Sequence, residues 1–524
     1  MDQEINLDSI LTLERQIEEH ERAIVQLKRI RNSLLNVSTL LPPEILGNIF
    51  RWNVIPDGDF GGLSKGSHNF LLVCNHWFEV ASRTPELWSF WGNTVQDWAR
   101  QHDRFGTAPL DLVLAEHPDC DLDDNLRAAL RDRAARDLVR SVHIRGTEAV
   151  GFLNSVISSI VTEGEGTRSN NVESFIMDNR DRSYVDVSAF FSRYRLPKLR
   201  YLRLLGCTIS SWDLVRSHTM ALTTLELRDI APTLSLPQLL SILSSNPLLQ
   251  NLILSPSSVP DVNDSDGSSP KVPLRRLKRL RLNSDFRPAF GLLNHLQLPD
   301  KMDNLRLSLY GCSRSDISHL GRFLGDFVRR RGESPGGGLE LLAYPGPTFD
   351  FNVGDVRKGN DSTEVAWFVA VSGGMNMELE DEEEDQLCFD LISHIPREQV
   401  VSLQTSLPIL RSEELCAGMY NLTHLHLGGT DLSTWFVETD IPEHTTLKDP
   451  LRSLDHIMIT EPYFSDGDWT PLTNFLSRRA AVGNGISSLK LSGFLQMDEG
   501  VVESIERVVK VVDLGHRQTL GKSI

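Results

Sequence analysis

Apolar side chains recur along this chain with two successive periods. Between residues 7 and 35, where Gly and Pro are absent, Ile10, Leu13, Ile17, His20, Ile24, Leu27, Arg31 and Leu34 follow a three-four spacing, with Glu and Arg between them. That spacing predicts an amphipathic helix with one apolar stripe. His20 and Arg31 interrupt the stripe, which weakens it as a long coiled coil. Two uses stay open: self-association, or packing on the segment that follows. From about residue 138 the period changes. Leu199-x-x-Leu202-x-Leu204-x-x-Cys207-x-Ile209 is followed at near-even spacing by Leu222-x-x-Leu225-x-Leu227, Leu249-x-x-Leu252-x-Leu254, Leu277-x-x-Leu280-x-Leu282 and Met302-x-x-Leu305-x-Leu307. Further copies start at Leu422, Leu454 and Ile486, and weaker ones at Val139, Val172, Val400 and Val509. The alternation inside each copy predicts a short strand with one buried face.

Between these regions lies a short, dense apolar segment. Leu41-Pro42-Pro43-Glu44-Ile45-Leu46-Gly47-Asn48-Ile49-Phe50 reads as a helix with Pro in its opening turn, where a missing N–H costs nothing. Leu71-Leu72-Val73-Cys74-Asn75-His76-Trp77, with Leu87-Trp88 beyond it, reads as a second helix. Two short helices cannot bury that much apolar surface between themselves, so something else must cover it. A Gly-rich loop, Ile55–His68, separates the two.

Composition narrows the function classes. At 524 residues the chain is too long for one core, so several domains or an elongated repeat is expected. Hydrophobic residues at 40% and charged residues at 24% are ordinary for folded protein. A net charge of −18 argues against general nucleic-acid binding, which needs cationic surface. Residues 378–385 are an acidic run, read as a solvated loop or a docking site for a basic partner. The six cysteines are scattered without a C-x-x-C pair, which suggests thiols used as small apolar residues in a reducing compartment, cytoplasm or nucleus. No apolar run approaches the roughly 18 residues of a membrane helix, and Met1–Glu4 begins no secretory signal, so no membrane association is expected.

Catalytic look-alikes do not hold up. Gly62-Leu63-Ser64-Lys65-Gly66 fits G-x-S-x-G but lies in a polar loop without the strand that a nucleophile elbow needs. Gly515…Gly521-Lys522-Ser523 has one residue too many for a phosphate loop and no helix after it. His424, His426 and His456 share a strand face and could reach one zinc ion, but no carboxylate or cysteine completes the set. The expectation is a binding protein without catalytic residues, metal or cofactor.

The L-P-P-E-I-L-x-x-I-F segment, V-C-x-x-W and the later L-W resemble the F-box, and the leucine triplets resemble leucine-rich repeats, with Cys207 and Thr430 at the position of the cysteine-containing subclass. The pairing is similar to F-box proteins numerous in mushroom-forming fungi. The Gly-rich loop is longer than F-boxes usually carry, and Asn75-His76 stands where many have basic residues. The resemblance implies a curved α/β leucine-rich-repeat solenoid preceded by a small all-α F-box and the N-terminal amphipathic helix. The expected domains are 1–36 for that helix, 37–92 for the F-box, 93–137 as a connecting segment and 138–524 for the solenoid, with insertions near 255–273 and 330–400. By resemblance, Leu41, Pro42, Ile45, Leu46, Ile49, Val73, Cys74 and Trp77 would contact a Skp-type adaptor and, through it, a cullin. The chain would then be the substrate receptor of an SCF-type ubiquitin ligase. The alternative is a repeat scaffold bound to the adaptor without ubiquitin transfer. On a solenoid, residues between the second and third leucines face the concave sheet surface. There Arg203, Arg281 and Arg306, joined by Arg228, suggest an acidic or phosphorylated protein substrate.

Overall fold

The computed structural model describes residues 7–34, 41–54, 71, 73–92, 108–115, 138–145, 171–179, 184–193, 196–255, 258–260, 271–331, 338–344, 348–358, 363–374, 389–405, 418–428, 451–460, 469–493 and 497–514. The loop at 55–68, the acidic run, both catalytic look-alikes and most of the connecting segment lie outside them. The chain divides into two compact units, Met1–Leu222 and Thr223–Ile524.

The first unit opens with helix α1, Leu7–Leu34, and continues with α2, Pro43–Val54, and α3, Asn75–Ser82. A single 3-10 turn, Pro85–Leu87, follows. Its sheet then runs β1 (Phe90–Gly92), β2 (Leu110–Ala115), β3 (Val139–Arg145), β4 (Ser174–Asp178) and β6 (Tyr201–Thr208), all parallel, with the two-residue β5 (Val185–Asp186) beside the end of β6. Register explains the core. Leu112, Val142, Phe175 and Leu202 form one cross-strand row, and Ile144, Met177 and Leu204 form another, each residue buried. Helix α4, Ser188–Arg193, adds Phe190 and Phe191, which pack against Phe175 with ring centroids 4.3 and 6.0 Å away. Helix α5, Trp212–His218, closes the unit.

The second unit carries the greater number of the described strands. Its first strands are β7 (Thr224–Ala231), β8 (Asn251–Leu254), β10 (Arg279–Asp285) and β12 (Asn304–Tyr310), parallel in that order. The second leucines of successive triplets, Leu225, Leu252, Leu280 and Leu305, stand in register, as do the third, Leu227, Leu254, Leu282 and Leu307. Three helices follow these strands in sequence, each with a buried apolar face, and the second of them packs on β10 and β12. Helix α6, Leu236–Ser245, starts at a capping box in which the Ser235 hydroxyl accepts from the Gln238 N–H and the Gln238 side chain accepts from the Ser235 N–H. Its buried face is Leu236, Leu239, Ile242 and Leu243. Helices α7, Phe286–Asn294, and α8, Arg314–Arg331, bury Phe286, Ala289, Leu292, Ile317, Leu320, Leu324 and Phe327.

The expected leucine-rich-repeat solenoid is corrected here. A solenoid repeats one strand-and-return unit without interruption. Here β12 is followed in the sheet by β15 (Thr363–Gly374), then β14 (Thr348–Lys358), then β13 (Gly338–Tyr344), and β14 runs antiparallel to both neighbours. The parallel order resumes from β13 through β16 (Val400–Thr405), β17 (His424–Gly428), β18 (His456–Thr460), β19 (Ser488–Ser492) and β20 (Val511–Asp513). The returns also differ from copy to copy. Between β8 and β10 lies β9 (Val272–Pro273), which pairs with β11 (Leu296–Gln297) in a separate two-stranded sheet. Helices α9, Thr470–Ala481, and α10, Glu499–Glu506, flank β19 in sequence. The fold is an α/β architecture on a large, predominantly parallel sheet, not a uniform curved solenoid. The leucine triplets specify strands with one buried face; they do not specify a constant return.

Candidate functional site

The segment expected to carry an interface is a small helical module. Its backbone begins at Pro42, whose carbonyl accepts from the N–H groups of Ile45 and Leu46, both at 3.0 Å, so α2 starts at the double proline. Because α2 turns once every 3.6 residues, Leu46 and Phe50 fall on one side and Ile45 and Ile49 on another. The first pair is interior, each 1% exposed. Phe50 meets the half-buried Trp77 of α3 at 5.1 Å between ring centroids. The 3-10 turn adds Leu87, and the Trp88 indole N–H donates to the Ala81 carbonyl at 2.9 Å. Thr84 closes α3 by donating its hydroxyl to the Val80 carbonyl at 2.8 Å, and it sits against Gly47 of α2, where an added Cβ would lie 3.2 Å from that hydroxyl. A small residue at 47 is what lets α2 and the turn approach.

The second pair faces outward. Ile45 is 47% exposed and Ile49 40%; Val73, just before α3, is 52% exposed and Phe78 within it 41%. Of the eight residues singled out from sequence, Pro42, Ile45, Ile49 and Val73 are exposed, Leu41, Cys74 and Trp77 are half-buried, and Leu46 belongs to the core. Phe78 was not foreseen. Its signal was the position after Trp77: a helix that turns Trp77, Val80 and Ala81 inward leaves residue 78 pointing away. The Trp77 indole nitrogen and His76 Nε2 are buried and, among the described residues, have no hydrogen-bond partner.

The four arginines expected on a sheet face do not act alike. In the first unit, Arg203 is 6% exposed and its guanidinium lies 3.9 Å from the buried Asp178 carboxylate. His143 on β3 stands in the same cross-strand row as Arg203, two strands away, with Ile176 of β4 between them. Burial holds its pKa down to about 4; Asp178 opposes that shift, while Arg203 and Arg145 reinforce it. This is a buried charge cluster. In the second unit, Arg228 pairs at 2.7 Å with Glu226, itself buried. Arg281 and Arg306 differ: both are exposed, and they stand directly opposite each other on neighbouring strands β10 and β12. Arg279, exposed and two residues before Arg281, extends this basic patch.

Elsewhere the geometry favours structure over chemistry. His424 and His456 are register partners whose rings stack 4.4 Å apart at 23°. His424 Nδ1 is 2.8 Å from the Thr423 hydroxyl, and His426 Nε2 is 2.9 Å from that of Thr460. Burial lowers the pKa of His426. Among the described residues no three His, Cys, Asp or Glu side chains converge as metal ligands. Burial pushes the thiols of Cys207 and Cys312 up to about 12, so both stay protonated. An open cleft of about 460 Å³ lies beside α7 and α8, lined by Lys271, Leu293, Phe323, Asp326, Arg329 and Arg330 among others. Its Arg329 is occupied by Asp326 at 2.8 Å and by the His394 carbonyl at 3.2 Å. No helix among the described residues is long and apolar enough to cross a membrane.

Fold and site together define a class: an α/β protein on a mainly parallel sheet, with a helical module that displays aliphatic and aromatic side chains. Beyond that class the comparisons add nothing, since no protein-family model and no curated protein matches the chain.

Proposed function

We propose that this chain is a non-catalytic substrate receptor of an SCF-type ubiquitin ligase. Its helical module docks on a Skp-type adaptor, and through it a cullin, while the sheet region holds a protein substrate. The observation that carries the reading is the division within α2. Leu46 and Phe50 complete the module's own core, yet Ile45, Ile49, Val73 and Phe78 remain 40–52% exposed. Apolar surface of that kind, next to a core already filled, favours a partner chain as its cover. Exposed Arg279, Arg281 and Arg306 support an acidic or phosphorylated substrate segment, since guanidinium forks match carboxylate and phosphate oxygens. Ubiquitin transfer would be performed by other subunits, and this chain would raise the local concentration of substrate lysines.

Magnitudes set what the patch can do. Covering the exposed half of four such side chains is worth about 1 kcal/mol each. About 4 kcal/mol corresponds only to millimolar affinity, so further contacts, from Pro42 and Leu41 onward, must share the interface. The test is co-purification of the full chain with adaptor and cullin. Adaptor together with cullin supports the ligase; adaptor alone indicates the scaffold without ubiquitin transfer; neither defeats the proposal. Ile45→Ser combined with Ile49→Ser is expected to weaken adaptor capture by roughly thirtyfold or more with little change in the urea midpoint. Leu46→Ala should instead destabilise the module by about 3 kcal/mol.

A further inference from the structure

We propose that helix α1 pairs with the same helix of a second copy of this chain, as an antiparallel two-stranded coiled coil. The inference stands apart from the adaptor reading and does not need it. Every described apolar residue on the stripe is open to solvent: Leu13, Ile17, Ile24 and Leu27 are each at least 51% exposed, and Ile30 beside them is 55% exposed. The outer face is already solvated, with Arg22 paired to Glu18 at 3.0 Å. An apolar stripe on a helix about 42 Å long calls for a partner of matching length and pattern, and a second α1 supplies both.

Charge placement selects the partner and its direction. Written as heptads, Ile17, Ile24 and Arg31 occupy a positions, Leu13, His20 and Leu27 d positions, Glu14, Glu21 and Lys28 e positions, and Gln16, Ala23 and Ile30 g positions. A parallel, in-register pair would set Arg31 against Arg31 and His20 against His20 across the seam. Its flanking g-to-e contacts would be Gln16 with Glu21 and Ala23 with Lys28, with no opposite charges. An antiparallel pair centred near residue 22 removes both clashes. Arg31 then faces Leu13, His20 faces Ile24, and Ile17 faces Leu27. On the flanks, Glu14 of each copy meets Lys28 of the other, giving two ion pairs, against a single Glu21–Glu21 contact at the two-fold axis. On the other flank, Ile30 and Ala23 widen the apolar seam.

The experiment is the solution mass of the full chain by light scattering over a wide concentration series. The expected species has twice the 58.9 kDa chain mass. Glu14→Lys alone, or Lys28→Glu alone, turns both ion pairs into repulsions and should weaken the dimer roughly tenfold or more. The doubly reversed chain should regain it, and so should an equimolar mixture of the two single variants, a rescue that misfolded protein could not give. Ile17→Asp with Ile24→Asp should leave a monomer. A wild-type chain that stays monomeric at every concentration overturns the proposal. So does a dimer that ignores the single reversals, or one that survives Ile17→Asp with Ile24→Asp.

Discussion

At the scale of single residues, charge is settled by burial. Arg203 and Arg306 occupy the same place in their leucine triplets, yet one lies against Asp178 inside the first unit and the other is exposed on β12. The triplet marks both as facing away from the leucines, but only the surrounding strands determine whether that side is wet. His143 shows the consequence for pH. Its folded pKa of about 4 lies below the ordinary 6.5, so as acid is added the unfolded chain takes up a proton that the folded chain refuses. Stability is unaffected by this group above about pH 6.5, falls as pH drops from there to about 4, and loses about 3 kcal/mol over that window. Urea unfolding of the first unit at a series of pH values should show this loss, and His143→Gln should flatten it. An unchanged slope in the variant would assign the loss to other groups.

Among the elements, the helices show why packing can outweigh propensity. Helix α8 carries Gly321 and Gly325 one turn apart, facing His394 beyond the segment 389–393. Glycine inside a helix costs about 1 kcal/mol relative to alanine, so propensity alone recommends replacement at both sites. The contacts separate them. A Cβ at Gly325 would strike the His394 carbonyl oxygen, which is backbone and also accepts from Arg329 at 3.2 Å. At Gly321 it would strike the imidazole ring, which can rotate. Gly325→Ala is expected to lower stability by about 2 kcal/mol net, while Gly321→Ala stays within about 1 kcal/mol of wild type. Thermal denaturation of the two variants side by side decides the point; equal effects would mean that the approach of α8 to His394 is not tight.

For the whole molecule, net charge governs behaviour in solution. A chain at −18 near neutrality with a pI near 5.3 repels itself at pH 7 and loses that repulsion as carboxylates protonate. Turbidity is expected to peak near pH 5.3 and to fall on either side; a flat profile would show that apolar patches, not charge, control its association. Much of the architecture was legible along the chain. The three-four spacing located α1, the double proline located the start of α2, and the second and third apolar positions of the strong triplets became the buried rows of the parallel strands. These are local properties: which residue follows which, and on which side of a helix or strand it falls. Other features depended on distant segments meeting. The antiparallel β14 lies in the stretch near 330–400 that the sequence marks only as an insertion, and by pairing with β13 and β15 inside the sheet it turns an expected solenoid into a mixed sheet. The exposure of Ile49, the burial of Leu46 and the separation of Arg203 from Arg306 follow from the same cause. Periodicity determines the face a side chain occupies, whereas only the packed chain decides what covers that face.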